Sequence, residues 1–154
     1  MERPRILIVE ARFYEDIADE LKRGAAAALE REGADHESVA VPGAVEIPTA
    51  VHMAHRAALE GKLTPRYDGY VALGCVIRGE TSHYDYVCGE SARKLQDLAC
   101  DHQLALGYGI ITCESRDQAW ARAAVEQKDK GGAAARACLR MLGLRHAFGL
   151  VRAD

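Results

Sequence analysis

A cation, a hydroxyl and an imidazole, Arg78, Thr81 and His83, fall close together in Leu73-Gly74-Cys75-Val76-Ile77-Arg78-Gly79-Glu80-Thr81-Ser82-His83-Tyr84-Asp85-Tyr86. An apolar run at 70–73 leads into this glycine-punctuated turn, and the pattern beyond it is that of a long amphipathic helix. Chain that leaves a strand and opens a helix presents N–H groups without partners at the positive end of the helix dipole, a ready place for an anion. His83 adds an imidazole, a side-chain type suited to proton transfer. Donors beside a proton-transfer group point to chemistry on a small phosphorylated molecule. The glycines match neither the dinucleotide fingerprint nor the P-loop. A single histidine usually serves only to satisfy a helix end, but the company of Arg78 and Thr81 tips His83 towards function.

Other residues carry weaker signals. Phe13 follows the first apolar run, where an aromatic either stacks on a planar heterocycle or closes the core. Pro42-Gly43-Ala44-Val45-Glu46-Ile47-Pro48 brings loosened backbone and one carboxylate to a turn. Its amides suit a uracil-like edge and Glu46 suits a polyol, although a helix-starting turn with a dipole-matched Glu46 explains the same residues. His52 and His55 share one side of a helical stretch without a third ligand nearby, so no metal site is expected. Arg122 and Lys130 lie in a charged tract that ordinarily reads as a solvated face. Their spacing gives them a common side only if the helix between them is unbroken.

The elements that must position these residues follow from periodicity. Strands are expected at 5–10, 37–41, 67–75 and 108–113. Helices are expected at 15–31, stopped by Gly33, at 49–59 after Pro48, and at 84–106. The remainder reads as helix interrupted at Gly131-Gly132, with Ala134, Ala137, Cys138, Met141 and Leu142 turned inward. Strands alternating with helices give an α/β layered fold with a mainly parallel, four-stranded sheet and right-handed crossovers. Ligands of such sheets bind at the carboxyl ends of the strands. That rule puts Phe13, residues 42–46, residues 75–83 and Tyr108 on one rim.

At 154 residues the chain is expected to form one domain spanning 1–154. Its 20 Lys plus Arg against 23 Asp plus Glu, a formal net charge of -3, leave no footprint for nucleic acid or an anionic membrane. No apolar run is long enough to span a bilayer, and the first residues lack the pattern of a secretory signal. Cys75, Cys88, Cys100, Cys113 and Cys138 are odd in number and never spaced as C-x-x-C. They are expected to be reduced thiols in or near the core of a cytoplasmic protein.

Together these segments resemble the 6,7-dimethyl-8-ribityllumazine synthases of riboflavin biosynthesis. The resemblance runs from Ile6 to about Leu144 and is carried by four separated motifs in order. These are Ala11-Arg12-Phe13, the 41–48 segment, Gly74 through Tyr86, and Gln118-Ala119-Trp120-Ala121-Arg122-Ala123. It implies a flavodoxin-like three-layer subunit with helices on both faces of the sheet, assembled as a homopentamer or a larger shell. It implies a transferase that joins 5-amino-6-(D-ribitylamino)uracil to 3,4-dihydroxy-2-butanone 4-phosphate, without cofactor or metal, and a functional link to riboflavin synthase. By that resemblance Phe13 stacks on the pyrimidine, and Ala44, Val45, Glu46, Cys75, Val76 and Ile77 contact the pyrimidine and ribityl chain. Glu80 and Thr81 belong to the phosphate loop, and His83 transfers protons. Tyr108, Arg122 and Lys130 reach the site from the adjacent subunit. Tyr14, Val45, Ser82, Glu126 and Ala133 depart from the commonest family pattern. The alternative is a low-activity paralogue that binds flavin-like ligands or forms a shell.

Overall fold

The computed structural model describes residues 3–152. The first apolar run forms β1 (Arg5–Ala11), buried along nearly its whole length, flanked by β3 (Gly69–Ile77) on one side and β2 (Asp35–Val41) on the other. β4 (Ala105–Cys113) pairs with β3 and closes an all-parallel sheet of order β2-β1-β3-β4. Parallel neighbours cannot be joined by hairpins. The crossovers are α1 (Glu15–Arg31), α2 (Ile47–Leu59), entered through a 3-10 turn at Ala44–Glu46, and α3 (His83–His102). After β4 come α4 (Arg116–Ala123) and α5 (Lys130–Ala147).

The two-residue period of the strands sorts the core. Ile6 and Ile8 of β1 point to one face, where they pack with Ile17 and Leu21 of α1, Ala123 of α4 and Cys138 of α5. Leu7 and Val9 point to the other, against Ile47 and Val51 of α2 and Leu95 of α3. The result is the three-layer, flavodoxin-like sandwich expected, with β2 and β4 as open edges.

Several boundaries differ from the sequence reading for identifiable reasons. The long central helix stops at His102 instead of running to 106, because Gln103 is left-handed (φ 51°). The strand after it starts at Ala105 although it contains Gly107 and Gly109, residues that weaken a strand. A Cβ on Gly107 would stand 1.9 Å from the Ala134 carbonyl oxygen, so the glycine admits α5 to the sheet.

Gly131-Gly132 is likewise not the helix break. The break lies at 124–129, and Asp129 caps α5 by accepting from the Gly132 N–H at 3.2 Å. Gly131 lets α5 close on α1, since a Cβ there would come within 2.0 Å of the Leu21 carbonyl oxygen. The buried stripe of α5 runs through Gly131, Ala135, Cys138, Leu142 and Arg145, which turns Ala137 and Met141 outward, against expectation. The cysteines are free thiols, but Cys100 is exposed on α3 rather than near the core.

Candidate active site

The carboxyl ends of the first three strands assemble one group of residues. Phe13 follows β1 with 77% of its surface exposed, its ring edge-on to Tyr14 at 4.9 Å. The core alternative for Phe13 is thereby excluded, and an open aromatic face remains. The backbone beneath it is fixed by Arg12, whose guanidinium meets Glu10 at 2.6 Å, Glu15 at 2.9 Å and Asp19. Glu10 is buried and also reaches Lys22 at 3.2 Å, so its charge is matched from both sides.

After β2, Gly43 is extended and the chain turns at Ala44–Glu46. Ala44 is buried in the core, Val45 is half exposed, and Glu46 is the residue from which α2 starts.

At the end of β3, Cys75, Val76 and Ile77 are half-buried. Burial, reinforced by the neighbouring Cys113, pushes the Cys75 thiol up to about 12. Cys75 therefore stays protonated near neutral pH and contributes shape, not a nucleophile. Glu80, Thr81 and His83 are all exposed in the turn that follows. Thr81 Oγ1 accepts from the His83 N–H at 3.3 Å, and Ser82, at the cap position, makes no side-chain capping bond. The start of this 20-residue helix thus keeps donors that an anion can take.

Arg78 departs from the sequence reading. Its guanidinium is bound by Glu114 at 3.0 Å and Asp85 at 3.5 Å and lies over the Tyr84 ring at 4.3 Å. Two carboxylates match its charge, so the turn relies on amides and hydroxyl rather than on a free cation.

A second group sits on the open edge of β4. Tyr108, Arg122 and Lys130 line a shallow groove of ≈ 330 Å³ together with the outer side of β4 and Ala133 and Ala134 of α5. No residue of the first group lines it. Tyr108 is 42% exposed and within hydrogen-bond reach of Ser91, and burial of its hydroxyl raises its pKa. Arg122 Nη1 donates to Gln118 Oε1 at 3.1 Å, and the same oxygen accepts from the Glu114 N–H at 2.8 Å. Arg122 and Lys130 are thus brought together by two helices meeting at a break, not by the unbroken helix their spacing would have required.

Gln118 was not singled out in the sequence as the residue that orients Arg122. The signal was present in Ser115-Arg116-Asp117-Gln118, an S-x-x-Q helix start. Ser115 does cap α4, accepting from the Gln118 N–H at 3.2 Å, while the Gln118 side chain turns to Glu114 and Arg122.

The positions that depart from the family pattern have local partners. Glu126 pairs with Arg23 at 3.1 Å. Ala133 lies beside Lys130, and no carboxylate among the described residues lies within ion-pair distance of that lysine. His52 and His55 do share one side of α2, where both rings face His102 at 6.3 and 5.0 Å between centroids, and His55 is buried. Among the described residues, no helix is long and apolar enough to cross a membrane.

The family model described as 6,7-dimethyl-8-ribityllumazine synthase matches residues 3–146. The chain belongs to this family. It is similar to 6,7-dimethyl-8-ribityllumazine synthase 1 of Rhizobium meliloti, at 57% identity over 94% of this chain and 93% of that protein. It is 53% identical to the 6,7-dimethyl-8-ribityllumazine synthase of Agrobacterium fabrum, over 97% of this chain and 99% of the other. A Bartonella tribocorum protein of the same name is 50% identical over 96% and 93% of the two chains. All four motifs that carry the resemblance fall inside the matched span, so both groups of candidate residues belong to the part of the chain shared with the lumazine synthase family.

Proposed function

We propose that this protein is a transferase that condenses 5-amino-6-(D-ribitylamino)uracil with 3,4-dihydroxy-2-butanone 4-phosphate to give 6,7-dimethyl-8-ribityllumazine. The observation that carries the reading is the family match over residues 3–146, which includes every candidate residue of both groups. Membership at this level of identity favours the enzyme over a flavin-binding or shell-forming paralogue.

In this reading the 5-amino group attacks the ketone and water leaves to form an imine. Phosphate is eliminated, the side chain reorients, and the ribitylamino nitrogen closes the ring with loss of water. No step changes the oxidation state of the assembled carbon skeleton overall, so no redox cofactor is required, and none of the steps needs a metal. Phe13 stacks on the pyrimidine, while Ala44, Val45, Glu46, Cys75, Val76 and Ile77 contact its edge and the ribityl chain. Glu80, Thr81 and the first amides of α3 take the phosphate, with Arg122 completing its shell through a planar fork. His83 moves protons around imine formation and elimination. Holding two small molecules in a reactive pose can lower a barrier by about 7–11 kcal/mol in the best cases. A positioned histidine adds about 10²–10⁴-fold, so positioning dominates.

The separation of the two groups supports a site completed between subunits. One subunit presents the Phe13–His83 rim and its neighbour presents Tyr108, Arg122 and Lys130 from the β4 edge. Two different faces meeting head to tail build a closed ring, and we infer a homopentamer or a shell of such rings. We also infer a cytoplasmic location, which the free cysteines support, and a functional link to riboflavin synthase as consumer of the product. Mixing both substrates with purified protein and following lumazine absorbance tests the reading. Turnover above the spontaneous condensation is expected, and its absence in correctly folded protein would reject the assignment.

A further inference from the structure

The end of the sheet opposite the candidate site holds a concentration of positive charge that the proposed reaction does not use. The starts of β1 and β3, the loop at 59–68, the end of α5 and the chain after it surround a cavity of ≈ 920 Å³. Its walls include Arg3, Arg5, Arg66, Arg145 and Arg152. Among the described residues, Asp35 and Asp68 are the carboxylates lining it. A second cavity of ≈ 410 Å³ shares Arg3, Asp68 and Arg152 with the first and adds Glu32 and His146.

Part of that charge is neutralised. Arg3 pairs with Asp35 at 3.1 Å, and Arg5 binds Glu37 and lies over the Tyr67 ring at 4.6 Å. Asp68 turns a carboxylate oxygen to the Arg5 N–H at 2.8 Å. Arg145 is different. It is only 7% exposed, and its two terminal nitrogens donate to neutral carbonyls, those of Gln103 at 2.9 Å and Asp68 at 3.0 Å. Its Nε has no hydrogen-bond partner among the described residues. The other buried side-chain polar atom in that condition is Nε2 of His146, the next residue, on the adjoining cavity. Burial pushes the Arg145 pKa down and nearby Arg66 pushes it the same way, with Asp68 opposing. A buried guanidinium with an unmade bond, beside a like charge and at the wall of an arginine-lined cavity, is the environment an anion relieves.

The chemistry of that anion follows from the donors. A carboxylate fills one guanidinium fork and carries one charge. A phosphate offers more acceptor oxygens and up to two charges, and so can bridge several arginines at once. We propose that this cavity binds a small phosphate-bearing anion, free phosphate or a phosphate monoester, held by Arg66 and Arg152 and backed by Arg145. The site is separate from the one that handles substrate phosphate at the start of α3, and it does not depend on the proposed reaction.

Calorimetric titration of the intact protein in a phosphate-free buffer tests this, with inorganic phosphate in one arm and glycerol 3-phosphate in the other. Tighter uptake of the ester would identify a monoester as the occupant, and equal or weaker uptake would identify free phosphate. Arg122→Ala, which removes an arginine from the candidate active site, should keep saturable uptake. The double variant Arg66→Ala/Arg152→Ala should bind at least about tenfold more weakly through the loss of two charge-assisted contacts. Arg145 is left intact because its bonds tie 68 and 103 together, and circular dichroism verifies the fold of the double variant. Undiminished uptake by that variant, disappearance of uptake in Arg122→Ala alone, or no saturable uptake by the wild type below about 10 mM would each overturn the proposal.

Discussion

If the reaction centre is built from the rim of one subunit and the β4 edge of the next, two dead proteins should make a live one. The perturbations are His83→Ala and Arg122→Ala in separate chains. His83 is exposed and, among the described residues, the Arg122 side chain is bonded to Gln118, so neither change should disturb the fold. Unfolding an equal mixture and reassembling it places the two chains at random around each ring. Half of the rims then keep His83 and half of the edges keep Arg122. About a quarter of the interfaces should therefore be intact, and activity per site should approach that fraction of wild type when each parent is nearly inactive. A second mixture, wild type with the double variant, separates the models from the other direction. It should give about a quarter of wild-type activity if the site is split and about half if both residues serve one subunit. Lumazine absorbance reads the rate and native mass spectrometry verifies mixing. Mixed rings with only the mean activity of the two parents would refute the shared site.

Four further outcomes follow. His83→Ala should slow turnover by less than about 10⁴-fold, and an unchanged rate would remove the histidine from the mechanism. Phe13→Ala should leave the unfolding midpoint unchanged, since the ring is exposed, while weakening aminouracil binding by about 1–3 kcal/mol. Equal weakening of both substrates would point to a distorted rim instead. Arg122→Lys keeps the charge but loses the planar fork, so the apparent affinity for the butanone phosphate should fall and that for the aminouracil should not. Gly131→Ala should cost about 1–3 kcal/mol by denaturant titration, because its methyl group would meet Leu21 backbone at 2.0 Å. An unchanged midpoint would mean that α1 and α5 separate freely.

The layers of the fold were readable because their signals are local and periodic. The stripe Ile17, Leu21, Ala25, Ala28 and Leu29 is buried as its spacing requires, and Gly33 ends the chain reversal after α1 in the left-handed region (φ 77°). The errors fell where a residue answers to a distant neighbour. Gly131 looks like a helix breaker until Leu21 is known to lie across from it, and Gly107 looks like a poor strand residue until Ala134 is placed above it. Gln103 ends α3 in a left-handed conformation although it is neither Gly nor Asn, and the arginine that holds its carbonyl is Arg145, far along the chain.

The candidate site divides along the same line. His83, Thr81 and Glu80 could be grouped because they are adjacent in sequence and share one helix start. Arg78 stands in the same run, but its charge answers to Glu114 from the turn after the neighbouring strand, which the spacing does not reveal. Arg122 and Lys130 share a groove although the continuous helix that their spacing would require is absent, and the break at 124–129 brings them together instead. The proposed link between these two and His83 is not in the spacing at all. A residue that works on a neighbouring subunit needs only to reach an open edge of its own chain. The pattern that selects it is therefore a surface pattern, an uncapped strand edge carrying Tyr108 beside two cations, which a single chain presents as solvated polar surface. Only the resemblance gave those residues a role before the edge was seen. The absence of any rim residue from the β4 groove is the structural reason to look for their partner on another copy of the chain.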